Sequence, residues 1–184
     1  MKILNYLIII FICINSSVKA DSKQTLINEL QKGGKLIFIR HAYAPGGGDP
    51  DNFDINDCTT QRNLSEAGRI QSKEIGKFFN ENIIPIDLVI SSEWCRCKDT
   101  VNEMKIGKWK TFSGLNSFFQ GYSNKDEVLN KLNNKLSSTT NDELVLMVTH
   151  QVVILNITGI APLSGGIVLY NSQTRQSKQI NIKY

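Results

Sequence analysis

The chain holds two histidines in 184 residues, and each closes a strand-length apolar run. The runs are Lys35-Leu36-Ile37-Phe38-Ile39-Arg40-His41 and Leu144-Val145-Leu146-Met147-Val148-Thr149-His150. Uninterrupted apolar stretches of this length mark strands buried on both faces, the pattern of a mostly parallel sheet covered by helices. In open sheets of that kind the chemistry gathers at the C-terminal edge of the strands. Both imidazoles, with Arg40, are therefore expected at one edge of one sheet.

Met1 to Ala20 has the layout of a secretory signal: Lys2 in a short n-region, an apolar core from Ile3 to Ile14, and Val18-Lys19-Ala20 before an expected cleavage after Ala20. The core is shorter than the roughly 18 to 20 apolar residues that span a bilayer. An exported chain is expected, periplasmic or secreted, with no stable membrane association after signal cleavage. Residues 21–184 then form one domain, long enough for a proper core and too short for two ordinary ones.

With 21 basic and 17 acidic residues the formal charge is +4, and loss of Lys2 and Lys19 leaves 19 basic against 17 acidic. The basic residues are scattered along the chain, which is no nucleic-acid footprint and leaves anion binding to a local pocket. Cys13 lies in the signal, so Cys58, Cys95 and Cys97 remain for a compartment where disulfides persist. Pairing of Cys58 with either Cys95 or Cys97 would close a loop of about 40 residues, worth on the order of 3 to 4 kcal/mol in the chain-entropy model.

Between the two histidines the pattern alternates helix and strand. Ser22 to Lys32 is a short helix stopped by Gly33-Gly34. After His41, Pro45, Gly46-Gly47-Gly48 and Asp49-Pro50-Asp51 predict a plain flexible loop with no P-loop lysine. Ser65 caps a helix running to Glu81, with Ile70, Ile75, Phe78 and Phe79 expected inward and Arg69, Lys73 and Lys77 toward solvent. Ile86 to Ile90 is a strand ending at Ser91-Ser92, and a helix from about Trp94 to Met104 puts Arg96 in its first turn. Thr111 to Gly121 is expected as a short strand and a site loop. Asp126 to Leu136 is amphipathic, Val152 to Gly159 is a short buried helix, and strands at Ile167–Tyr170 and Gln179–Lys183 finish the sheet.

Position and periodicity thus bring Arg40, His41, Arg96 and His150 to one edge. Arginine forks match phosphate oxygens bidentately, and an imidazole serves as nucleophile or proton carrier near neutral pH. With no acidic cluster to hold Mg²⁺, the expected chemistry is metal-free and cofactor-free phosphoryl transfer through a phosphohistidine.

The chain resembles the histidine phosphatase superfamily, the phosphoglycerate mutase-like clan. Arg40-His41-Ala42 is similar to its Arg-His-Gly/Ala signature. Leu64-Ser65-Glu66-Ala67-Gly68-Arg69-Ile70-Gln71 is similar to its helix-opening Leu-Thr/Ser-x-x-Gly-x-x-Gln, and Ser91-Ser92-Glu93-Trp94-Cys95-Arg96-Cys97-Lys98-Asp99-Thr100 to its Ser-Ser-x-x-x-Arg-x-x-x-Thr. Val148-Thr149-His150 is similar to the strand bearing its second histidine. The resemblance implies a single three-layer α/β/α domain with a mostly parallel central sheet and a small phosphorylated substrate. It also implies His41 as nucleophile, with Arg40, Arg96 and His150 on the phosphoryl oxygens. Arg62, beside the helix-opening motif, is a candidate substrate-binding residue.

The resemblance also implies a carboxylic general acid, either in the loop after the third strand or directly after the second histidine. Those positions read Leu115-Asn116-Ser117 and Gln151 here. Asp49, Asp51, Asp54, Asp57, Glu93, Asp126 and Glu127 are the carboxylates left for the role. Losing such an acid costs about 10² to 10⁴ in rate for a poor leaving group and much less for a good one. A phosphatase for a small phosphomonoester, with an envelope sugar phosphate as one candidate, is the first reading. A catalytically weak phosphate- or phosphosugar-binding relative is the second, and a metal site at Cys95, Cys97 and Cys58 with a histidine is the third.

Overall fold

The computed structural model describes residues 24–140, 142–180 and 182. The expected signal segment, Met1 to Ala20, lies outside the described residues. Six strands, β1 (Lys35–Arg40), β2 (Leu88–Ser91), β3 (Lys110–Thr111), β4 (Leu144–Thr149), β5 (Ile167–Tyr170) and β6 (Ser177–Ile180), form one sheet in the order β3-β2-β4-β1-β5-β6. β3, β2, β4 and β1 are mutually parallel, β5 runs antiparallel to β1, and β6 runs antiparallel to β5. The helices are α1 (24–31), α2 (Glu66–Glu81), α3 (Cys95–Met104), α4 (Lys125–Ser138) and α5 (Gln151–Thr158). None is long and apolar enough to cross a membrane.

Strand alternation sorts the core into two layers. Ile37, Ile39, Val89, Leu146 and Val148 face α1, α2 and α3, meeting Leu30, Ile75, Phe79, Trp94 and Val101. Leu36, Phe38, Ile90, Val145 and Met147 face the other way, onto Val128, Leu132 and Leu136 of α4 and Val153 and Ile154 of α5. The three-layer α/β/α arrangement expected from the apolar runs is what forms.

The face of α2 that meets the sheet differs from the expected stripe. Ile75, Phe78 and Phe79 are buried, but Ile70 is 53% exposed. The inward face is instead opened by small residues, Gly68, Ser72 and Gly76, a face that Ile70 does not share. A Cβ on Gly68 would lie 2.1 Å from the Tyr43 carbonyl oxygen, and one on Gly76 1.9 Å from that of Met104. Glycine is therefore required for α2 to lie this close to the segment after β1 and to the end of α3. Arg69, expected toward solvent, bridges to Asp99 at 2.9 Å and Glu103 at 3.1 Å on α3. The last strand begins at Ser177, two residues before the expected Gln179, and its expected end, Lys183, lies outside the described residues.

The register places the site. Arg40 pairs with Thr149 across β1 and β4, so His41 and His150 emerge side by side. Ser91 pairs with Val148, bringing Ser92 to the same edge from β2. Of the two disulfides left open by the sequence, Cys58–Cys95 is the one formed, with Cα atoms 5.7 Å apart, and Cys97 is a buried free thiol.

Candidate active site

His41 follows β1 directly and is 2% exposed. Its backbone N–H donates to the Thr149 carbonyl at 2.9 Å. Its ring Nδ1 lies 2.8 Å from the Ala42 carbonyl oxygen. A carbonyl only accepts, so Nδ1 carries the proton and Nε2 keeps the lone pair. Ala42 is fixed in turn, its N–H donating to Thr100 Oγ1, whose hydroxyl donates to the Arg96 carbonyl at 2.7 Å. Burial, then the charge of Arg96, pushes the His41 pKa well below its usual value, against the opposing bond to Ala42. The ring is a free base at neutral pH.

Arg96 rises from the first turn of α3 into a buried fork with Asp49, Nη1–Oδ1 2.7 Å and Nη2–Oδ2 3.1 Å. The same carboxylate accepts from the Trp94 indole at 3.0 Å and from the Arg62 backbone N–H at 3.0 Å. Burial alone would raise the Asp49 pKa, but the Arg96 fork and these N–H donors hold it below the usual carboxylate range. Arg96 Nη2 also reaches His150 Nδ1 at 3.4 Å. The two imidazoles stand 5.5 Å apart, centroid to centroid, at 64°. His150 is 4% exposed. Burial and then Arg96 push its pKa well down as well, with smaller contributions from His41, Arg62 and Arg40.

Arg40 and Arg62 are half-buried. Arg40 Nη1 donates to the Pro162 carbonyl at 3.0 Å, and Gln151 Nε2 donates to the same oxygen at 3.1 Å. Arg62 Nε donates to Gly48 at 2.8 Å and its Nη1 to Ala44, while its own carbonyl accepts from Arg96 Nη1. All five expected residues, Arg40, His41, Arg62, Arg96 and His150, thus belong to one linked cluster. Three guanidiniums, one carboxylate and two neutral rings leave it with a net charge matched to a dianion. Two donors, Arg40 Nε and Arg96 Nε, are buried with no partner among the described residues. A buried cationic donor left unpaired is costly, and an incoming oxyanion relieves the cost.

The segment after His41 is not the plain loop that its glycines and prolines suggest. Asp49 is pinned inside it, with Gln120 closing on its backbone through Oε1 at 2.7 Å and Nε2 at 3.1 Å. Gln61 Oε1 accepts from the Cys95 N–H at 2.9 Å, next to the disulfide. Buried partners from α3 and the loop after β3 override local turn preferences here.

Among the carboxylates weighed for the acid, Asp51, Asp54, Asp57, Asp126 and Glu127 are exposed. Glu127 pairs with Lys131 at 2.6 Å. Asp49 lies in the site but is committed to Arg96, so it does not carry a proton. Glu93 accepts from Asn116 Nδ2 at 2.6 Å. The metal reading loses two of its thiolates, because Cys58 and Cys95 are bonded to each other. Burial pushes the remaining Cys97 thiol up to about 12, so it stays protonated at 3.5 Å from His150 Nε2.

The sequence pattern does not mark Ser92, Trp94, Asn116 or Gln120 as site residues, yet all four bond into the site. Ser92 was legible as the last residue of the strand-end serine pair. Asn116 stands where a carboxylate was sought.

No family model matches the chain, and no curated protein sequence matches it. Solved structures do match. A protein histidine phosphatase SixA complexed with tungstate aligns at a TM-score of 0.55 and 14% identity, over 80% of this chain and 94% of that one. A mycobacterial glucosyl-3-phosphoglycerate phosphatase with VO3 aligns at 0.57 and 13%, over 80% and 98%. An Entamoeba histolytica phosphoserine phosphatase variant in complex with phosphoserine aligns at 0.52 and 14%, over 80% and 95%. The fold is the phosphoglycerate mutase-like one.

Proposed function

We propose that this chain is an exported histidine phosphatase, cleaved after Ala20, that hydrolyses a small phosphomonoester through a phosphohistidine on His41. The observation that carries the reading is the buried pair of rings beside two unpartnered guanidinium donors, Arg40 Nε and Arg96 Nε. His41 Nε2, with its lone pair free, attacks phosphorus in line with the ester oxygen. Arg40, Arg96 and His150 hold the phosphoryl oxygens, and the guanidiniums stabilise the charge that gathers there in the transition state. Arg62 supports the phosphate or the remainder of the substrate. Water then cleaves the P–N bond. The guanidiniums supply the charge stabilisation that Mg²⁺ supplies elsewhere, so the reaction needs no metal.

The solved structures sharing this fold include a protein named as a protein histidine phosphatase, one as a phosphoserine phosphatase and one as a glucosyl-3-phosphoglycerate phosphatase. The last two names support the phosphomonoester class, and export favours a substrate met outside the cytoplasm, such as an envelope sugar phosphate. A second reading, a phosphate-binding relative with little turnover, is favoured by one observation: among the described residues, the sole carboxylate bonded to an arginine of the site is locked to Arg96. Phosphate release from an aryl phosphate and a sugar phosphate, with chelator present and beside His41→Ala, separates the two. Turnover that survives chelator and disappears in His41→Ala supports the enzyme. Phosphate binding without turnover on either substrate supports the binding protein.

A further inference from the structure

A chain of hydrogen bonds behind His150 has only one consistent direction. The Glu93 N–H donates to Asn116 Oδ1 at 3.0 Å, and Asn116 Nδ2 donates to the Glu93 carboxylate at 2.6 Å. Both bonds fix the amide with its oxygen toward Ser92. Ser92 Oγ, 3.2 Å from that oxygen, must give it its one proton. Toward His150 Nε2, 2.9 Å away, Ser92 Oγ can therefore only accept. It accepts from the Trp94 N–H at 3.3 Å as well. The ring proton of His150 sits on Nε2. The other side of the ring agrees, because Arg96 Nη2 at 3.4 Å can only donate to Nδ1.

Nδ1 of His150 is thus an unprotonated acceptor beside the guanidinium expected to hold the phosphate. A phosphoryl group needs a donor there. Because Nε2 already holds its proton toward Ser92, an added proton has one place to go. Resting on the phosphohistidine reading above, we propose that His150 is the proton donor to the leaving oxygen, charged at Nδ1 when the phosphate binds and oriented by Ser92 and Asn116. His150 takes the place of the missing carboxylic acid, and Ser92 and Asn116 are positioning residues.

The charged and titratable groups around the ring are Arg96 and Cys97 from α3, His41 after β1, and Arg40 and Arg62 nearby, with Asp49 on the far side of Arg96. Burial, and then these cations, keep the ring neutral. A phosphate dianion offsets them, so binding draws in a proton from water, or from the substrate when it arrives as a monoanion. As the P–Nε2 bond to His41 forms and the P–O ester bond breaks, the Nδ1 proton of His150 passes to the ester oxygen, releasing the alcohol. Water then attacks phosphorus, the P–N bond breaks, and the water's proton returns to His150 Nδ1. The sum is a phosphomonoester dianion plus water giving alcohol plus hydrogen phosphate.

Two measurements test this. His150→Gln removes the proton carrier, and its rates are compared along a leaving-group series from nitrophenyl through phenyl to glycerol phosphate. The expected loss is about 10² to 10⁴ for the alkyl ester and no more than about tenfold for the nitrophenyl ester. An equal loss across the series would make His150 a phosphate-binding group only and overturn the proposal. Nitrogen-15 NMR of histidine-labelled protein reads just two rings, assigned with the His150→Gln spectrum. The resting His150 should carry its proton on Nε2, and saturating inorganic phosphate should add a second on Nδ1. A resting Nδ1–H form, or a ring still neutral with phosphate bound, would also overturn it. Turnover surviving in His41→Ala would instead remove the phosphohistidine reading, independently of either result.

Discussion

Replacing Asp49 by Asn tests whether the loop after β1 is built around one buried ion pair. The Asp49 and Arg96 side chains are each 4% exposed. Their fork of 2.7 and 3.1 Å is joined by the Trp94 indole and the Arg62 N–H on the same carboxylate. Removing one charge from such a pair leaves the other buried and uncompensated, which costs about 3 to 5 kcal/mol. For a chain of this size that corresponds to a melting temperature lower by roughly 10 °C. Urea unfolding followed by tryptophan fluorescence measures the loss, since Trp94 touches the substituted group. The double variant Asp49→Asn with Arg96→Gln should lose less than the sum of the single variants, by about 1 to 3 kcal/mol. The pH dependence has a definite sign. The folded Asp49 pKa lies below the unfolded value, so its contribution is complete above pH about 3.9 and disappears as pH falls through the folded pKa. A loss below about 1 kcal/mol with an additive cycle would mean the pair is screened like a surface bridge, refuting the argument.

Three further outcomes follow from the same geometry. Reducing Cys58–Cys95, or replacing both by Ser, should destabilise the protein by about 4 kcal/mol, from a sequence separation of 37 residues in the chain-entropy model. A melting temperature unchanged by reductant would show that the loop is held without the covalent link. With a nitrophenyl ester, which needs no acid, kcat/KM should stay level from pH 8 to below 6.5, because burial and Arg96 keep His41 a free base in that range. An activity that halves near pH 6.5 would mean an ordinary, solvated imidazole. Both neutral rings also make stability fall as pH drops from about 6.5 toward their lowered folded pKa values, since the unfolded chain binds the protons first.

The sheet and the edge that gathers the candidate site were legible because strand burial leaves continuous apolar runs, and a residue just past a run has only one place to be. That logic placed His41, His150 and Arg96 correctly. Asp49 was legible only as one of several loop aspartates, since its burial depends on Arg96, Trp94 and Gln120, which lie 47, 45 and 71 residues away in sequence. Asn116 was passed over because a carboxylate was sought, although the amide is the residue able to both accept from Ser92 and donate to Glu93. Ile70 was misplaced by counting apolar residues, when the inward face of α2 is marked by the small residues that permit close approach. The choice of Cys95 over Cys97 turns on α3: the side chain of Cys97 packs inward against the sheet, leaving Cys95 for Cys58.

The most direct test is to trap the covalent intermediate. The protein is mixed with an aryl phosphate, quenched in alkali within milliseconds to seconds, and digested for mass spectrometry under conditions that preserve phosphohistidine. A single phosphoryl group on His41, absent from His41→Ala and lost on brief acid treatment, is the result expected. Turnover with no phosphoprotein, or a phosphoryl group on any other residue, would contradict the account.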